Sequence, residues 1–295
     1  MRMFFIGRRV VFFSVLFVLI FSCPIYSKSA PKNKFELKIS GGMTTVAGGN
    51  WNANIEGWSD LRKQNADLYG NTFTSNNNLL DWGWEAAGEI LFNLSSQFAL
   101  SAGLGYIKVN GSGIDTTVSQ GSVSKSTFNT AFKGVPVTLG LYYQVPLSSK
   151  SSLSIGAGSG YYFTSFDYNH YREDGLGSWI HNDQKGNSGG IGFHGGIGYE
   201  YSVSKSISVI VEAFGRYAKI NGFEGTRSRY DSNNWSDSDD VAFYYVEREQ
   251  LGFGWFQRVV ASIEEPTGSQ VRNVRSAEID FSGLSVRIGL KIKLF

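Results

Sequence analysis

The chain has 295 residues and a formal charge of +2 from 27 basic and 25 acidic side chains, a balance that excludes a nucleic-acid-binding role. Its 42% hydrophobic content is too low for a bundle of membrane helices. Charged residues reach only 18% and aromatics 15%, with 36 glycines; against about 25% charged in average domains, this mixture suits a β-rich chain with aromatic anchors.

In chain order, Arg2, Arg8 and Arg9 precede the apolar run 10–21. This is the pattern of an export signal, too short to span a bilayer as a helix. Residues 1–27 are expected to leave, so that the mature chain starts at Lys28 with 24 cations and 25 acids. Cys23 leaves with the signal, or it is acylated if the segment is read instead as a lipoprotein box. A short segment, 28–34, leads into the first strand.

From there, apolar side chains recur at every second position, the side-chain period of a strand. The segments are 35–46, 82–94, 98–109, 135–145, 153–166, 189–201, 207–222 and 283–295. In the second, Trp82, Trp84, Ala86, Gly88, Ile90, Phe92 and Leu94 share a face. In the last, Leu284, Val286, Ile288, Leu290, Ile292 and Leu294 face one way, and Arg287, Lys291 and Lys293 the other. No convincing helical period appears.

Short Ser-rich connections at 95–97, 146–152 and 202–206 alternate with long ones rich in Asn, Ser, Gly and Asp. Short turns at one end, long loops at the other and an even strand count are the pattern of an outer-membrane barrel. The expected fold is all-β: an eight-stranded antiparallel up-and-down transmembrane β-barrel over 35–295. The connection 223–282 is too long for plain coil. It should carry strand extensions at 241–249, 255–265 and 271–281. Two of these crossing the bilayer would make ten strands, but Arg248, Arg258, Arg272 and Arg275 interrupt their apolar faces.

With its export signal, eight strands, alternating loops and terminal Phe295, the chain resembles the small outer-membrane β-barrels of the OmpA/OmpX type. The resemblance implies residence among outer-membrane lipids and assembly by the barrel-assembly machinery, which in that family reads a C-terminal aromatic such as Phe295. Here Phe295 falls on the Arg287–Lys293 face.

If the apolar faces meet lipid, the others point into a lumen just wide enough for side chains. Those faces carry Lys38, Glu85, Glu89, Glu212, Arg216, Arg287 and Lys291, together with His194. Opposite charges there should pair, with Glu85, Glu89 and Glu212 next to Arg216, Arg287 or Lys291, and close the lumen.

A hydrolase would need a Ser activated by a His and oriented by an acid, and no such signature stands out around His170, His181 or His194. The acidic stretch 231–240 lacks the glycine and spacing of a calcium loop. The glycine-rich stretches 105–113 and 189–198 precede no helix, so neither cradles a phosphate. No cofactor or metal is expected. The chain reads as a non-catalytic barrel with a role in envelope structure or surface interaction through its loops; a narrow transport channel and a lipid-modifying enzyme are the alternatives. Trp235, Tyr244, Tyr245, Arg248, Trp255 and Arg258 in the last loop are candidate recognition residues, being types enriched at binding hot spots. Residues 225–268 should then be removable without loss of the barrel.

Overall fold

A computed structural model describes residues 34–294. The export segment, Cys23 and Phe295 lie outside the described residues.

Strand β1 (Phe35–Thr45) is followed by helix α1 (Asn50–Leu68), β2 (Thr72–Asn78) and β3 (Trp82–Asn93). Then come β4 (Phe98–Ser119), β5 (Ser122–Pro146), β6 (Ser151–Glu173), β7 (Trp179–Ser202) and β8 (Ile207–Tyr217). The last part holds β9 (Lys219–Ile220), β10 (Glu224–Asp231), β11 (Ser236–Gln250), β12 (Gly254–Ser262), β13 (Val271–Ser276), β14 (Ile279–Asp280) and β15 (Gly283–Lys293).

Every pairing is antiparallel, and the sheet closes on itself. β1 pairs with β3, then β4 through β8 follow in chain order. β8 pairs with β15, and β15 returns to β1. Closure leaves the eight-strand ring without an open edge; β2, β12 and β13 lie outside it. Side chains alternate strictly, as in β8, where Val209, Val211 and Ala213 differ in burial from Ser208, Ile210, Glu212 and Phe214. The outward face is apolar: Ile39, Leu139, Ile191, Leu284 and Ile288 are each more than half exposed. The backbones of β1 and β15 approach so closely that a Cβ at Gly42 would lie 1.9 Å from the Val286 carbonyl oxygen.

Two expectations are corrected. First, the connections read as long loops are largely strand. β4 and β5 run ten or more residues past the expected ends and turn at Gln120–Gly121, both with positive φ as a tight two-residue hairpin requires. In this outer half of β4 the outward face mixes Asn110, Ser112 and Thr116 with Ile114 and Val118. The alternation of apolar with polar residues fades there, and with it the sequence signal.

Second, a helix of 19 residues follows β1. Its apolar stripe is short, Trp51, Ile55 and Trp58 at i, i+4 and i+7, and asparagines share its docking. Asn52 Oδ1 accepts the Leu80 N–H at 2.9 Å, Asn54 Oδ1 the Val259 N–H at 2.9 Å and Asn50 Oδ1 the Glu278 N–H at 2.9 Å. These side chains satisfy backbone donors of the surrounding wall, which makes burial of a polar helix affordable. At Gly57 the helix backbone meets β12, where a Cβ would lie 2.3 Å from the Gln257 carbonyl oxygen.

Helix α1 fills the upper lumen. Trp51 packs on Phe132, Phe166 and Phe243 at ring separations of 5.5, 4.4 and 6.2 Å. Ile107, Phe223, Ile279 and Phe281 complete this apolar core. β6 ascends from its short turn, with Phe166 beside Trp51 and His170 beside Trp58; the helix therefore runs outward along the barrel. β10 pairs with the upper half of β7, and β11 pairs with β10, β12 and β13. None of β10 to β13 joins the closed ring. Segment 225–268 supplies Val241, Phe243 and Ala261 to the core, so the expectation that it can be removed freely is corrected.

Candidate functional site

The described lumen is polar below and above its apolar core, and the upper part also holds a cavity of about 230 Å³ lined by Asp115, Ser124 and Ser126 that shares Arg62 and Arg172 with the cleft described below. The lower part lies inside the closed ring, in three layers. Nearest the short turns, Lys291 reaches Glu36 at 3.1 Å and also Glu200. In the next layer Lys38 lies 2.7 Å from Glu89 and 2.9 Å from Glu212, and donates to Tyr142 Oη at 2.8 Å. Its three ammonium protons thus each have an acceptor. Above it, Glu85 receives Arg216 at 2.9 Å and Arg287. Arg216 also donates to Thr44 Oγ1 at 3.0 Å and to the Phe281 carbonyl at 2.7 Å.

All seven lumen charges named from the sequence lie in this network, but their partners differ from expectation. Glu89 and Glu212 pair with Lys38, and only Glu85 meets Arg216 and Arg287. Lys38 and Lys291 sit directly opposite across the β1–β15 pair; each turns to a different pair of acids, which relieves the like-charge contact. Sequence reasoning missed Glu36 and Glu200, although both share the inward period, with Lys38 on β1 and with His194 on β7. A gap of about 40 Å³ lined by Glu85, His194 and Arg287 remains, room for a water or two. In this arrangement each of the four cations has a carboxylate partner.

The upper region is a cleft of about 330 Å³ between α1, the outer ends of β6 and β7, and β10 to β12. Six arginines line it: Arg62, Arg172, Arg227, Arg229, Arg248 and Arg258. No carboxylate lines it among the described residues. Two of the six are compensated from behind, Arg62 by Asp115 at 3.1 Å and Arg227 by Asp239 at 2.5 Å. The other four form no ion pair among the described residues. Arg258 stacks on Trp58 at 3.6 Å, is 8% exposed, and its Nε has no acceptor. Burial, then the charges of Arg248 and Arg62, pull its pKa down to about 10, so it remains charged at neutral pH.

Of the recognition residues named from the sequence, only Arg248 and Arg258 reach this cleft. Tyr245 is buried under Arg275 at 4.2 Å, and Trp255 stacks with Arg272 at 4.1 Å. Trp235 lies on the β10–β11 turn beside Arg229 at 5.7 Å, and Tyr244 is half-buried on β11. The six do not form one surface, because alternation along β11 and β12 sends neighbours to opposite faces. Arg62, Arg172, Arg227 and Arg229 were missed: they stand on segments far apart in sequence.

At the cleft floor Ser126 Oγ lies 2.7 Å from His170 Nε2, and Arg62 lies 3.3 Å from the same nitrogen. Arg62 only donates, so Nε2 must be the acceptor. The sequence showed no such pair, since 44 residues separate its members. Burial, then Arg62 and Arg172, push the His170 pKa down to about 4. The imidazole is therefore neutral at physiological pH.

A native pKa below the unfolded value makes this group stabilising above about pH 6.5, with that stability lost as pH falls toward 4. His170→Gln should accordingly flatten the acid limb of stability. Unfolding midpoints at pH 7 and pH 4.5 check this, with wild type expected to drop further than the variant between the two. An equal drop would place the titration elsewhere.

No family model matches the chain, and neither does any curated protein. Among solved structures it is similar to the outer membrane protein OprG from Pseudomonas aeruginosa, at 11% identity over 89% of this chain and 97% of that one, with a TM-score of 0.36. A major outer membrane protein from Thermus thermophilus matches at 15% identity over 88% and 98%, TM-score 0.40. The outer membrane protease OmpT from Escherichia coli matches at 12% identity over 91% and 99%, TM-score 0.36. These likenesses are of general architecture and carry no activity over to this chain. The expectation that the chain is not an enzyme is withdrawn on the last of them, since a protease stands among the structures it resembles.

Proposed function

We propose that the chain is an outer-membrane barrel of the small OmpA/OmpX type, with eight membrane-crossing strands, closed to solutes and acting at the cell surface through the structure above its apolar belt. The observation that carries this reading is the closed strand ring, apolar outside and ion-paired inside. Lipid on one side and a packed polar interior on the other suit such a wall. Residues 1–27 serve export, outer-membrane lipids surround the belt, and Phe295 is the signal for the barrel-assembly machinery. Trp82, Trp84, Tyr161, Phe163 and Tyr217, all exposed, form the outer aromatic girdle.

Two measurements test it. Cell fractionation should recover the mature chain, beginning near Lys28, in the outer membrane; recovery as a soluble protein would end the reading. Planar-bilayer recordings of purified protein should show no steady conductance, because three ion-paired layers and a helix lie in series. A large and stable single-channel current would mean instead that the lumen conducts.

A further inference from the structure

The arginine cleft is more basic than a surface-facing wall needs to be. Of its four cations without an ion pair among the described residues, Arg172 and Arg248 are exposed and screened by water, and the cost of the cluster falls on buried Arg258, which feels the charges of Arg248 and Arg62. The Arg258 guanidinium is also buried with Nε unpartnered. Such a cluster is stabilised when a multiply charged anion enters. Guanidinium forks match phosphate oxygens in pairs, and the four of the six that lack an ion pair, around about 330 Å³, exceed what one monoanion can satisfy. Asn182 also lines the cleft, with Oδ1 buried and unpartnered; it is an acceptor suited to a hydroxyl.

The height of the cleft identifies the source of the phosphate. Phe163 is the last exposed aromatic on β6, and His170 on the cleft wall lies seven residues further out. At about 3.3 Å per residue and a strand tilt of about 35–45°, that is roughly 17 Å above the girdle, beyond the layer of about 5–8 Å that phospholipid headgroups occupy. We propose that this cleft binds a water-soluble phosphate ester that carries several negative charges and at least one hydroxyl, such as a phosphorylated sugar. The proposal rests on the reading above that these strands stand outside the membrane.

The test is calorimetric titration of the purified full barrel in neutral detergent with fructose 1,6-bisphosphate and with inorganic tripolyphosphate. Both should bind, and affinity should weaken as salt rises from roughly 0.05 to 0.2 M, as screening requires. Arg248→Gln and Arg229→Gln, at positions not needed for the core, should each weaken both ligands about tenfold, in line with the loss of one charged hydrogen bond. Arg258→Gln should do the same or more. Arg275→Gln, outside the cleft, should change nothing. Asn182→Ala should weaken the bisphosphate and leave tripolyphosphate unaffected.

Heat-dependent gel mobility confirms that each variant is folded. Absence of binding by folded wild type, or binding untouched by Arg248→Gln and Arg229→Gln, would overturn the proposal. So would association seen only with vesicles containing phosphatidylglycerol, which would make the phosphate a lipid's. Failure of the membrane reading shows separately, as a barrel that binds these ligands yet does not insert into neutral vesicles.

Discussion

Replacing Glu85 by Leu should lower the unfolding free energy of the barrel by about 3–5 kcal/mol, the cost of stripping one partner from a buried ion pair. Glu85 is 2% exposed and holds two arginines at once, Arg216 and Arg287. Without it both guanidiniums remain inside the ring. Arg216 keeps Thr44 and the Phe281 carbonyl, whereas Arg287 loses its one ion pair among the described residues and keeps its stacking on Phe214 at 4.7 Å and the nearby charges of Glu89 and Glu212. Urea unfolding in detergent, followed by tryptophan fluorescence, measures the loss. The reference is Glu278→Gln, which breaks an exposed pair with Lys219 worth about 0–1 kcal/mol. Equal effects at the two sites would show that the lumen is wet enough to screen its charges, and the closed-barrel reading would fall with it.

Trp51→Ala should cost about 3–5 kcal/mol, the usual range for emptying a buried large aromatic site. Trp51 is 1% exposed and touches Phe132, Phe166, Tyr168 and Phe243. It is the residue that ties α1 to both the wall and the β11 segment. The asparagine contacts of the helix survive the change, so the helix should loosen rather than leave. Conductance should stay absent, because the ion-paired layers below are untouched. Protease accessibility of α1, compared with wild type, reads the loosening. If the variant conducts steadily while retaining its heat-dependent gel shift, the helix and not the charge network closes the lumen.

Much of the wall was legible in the chain itself. Period-two alternation in 82–94 or 283–295 names both the strand and its faces, because lipid demands an unbroken apolar side. Inward charges such as Lys38 and Glu212 stand out on that pattern. Their partners do not. Which carboxylate meets which cation depends on strand register and on the position around the ring, and these bring Glu212 of β8 to Lys38 of β1, 174 positions apart.

Above the belt, water on the outer face removes the contrast that made strands visible, so β2, β10 and the outer half of β4 left little trace. Helix α1 left only a short one, Trp51, Ile55 and Trp58 at i, i+4 and i+7, since its asparagines dock by satisfying backbone N–H groups that other elements present, and no hydrophobic period records that. The arginine cleft follows the same rule: α1, β6, β10, β11 and β12 each contribute one or two cations, and of these the sequence singled out only Arg248 and Arg258. By itself the sequence determined the barrel wall, its two faces and the sign of its lumen residues, because those follow from local alternation against a fixed surrounding. Only the tertiary structure decided the helix plug, the ion-pair partners and the cleft, because each depends on which distant segments the closed sheet brings within reach of one another.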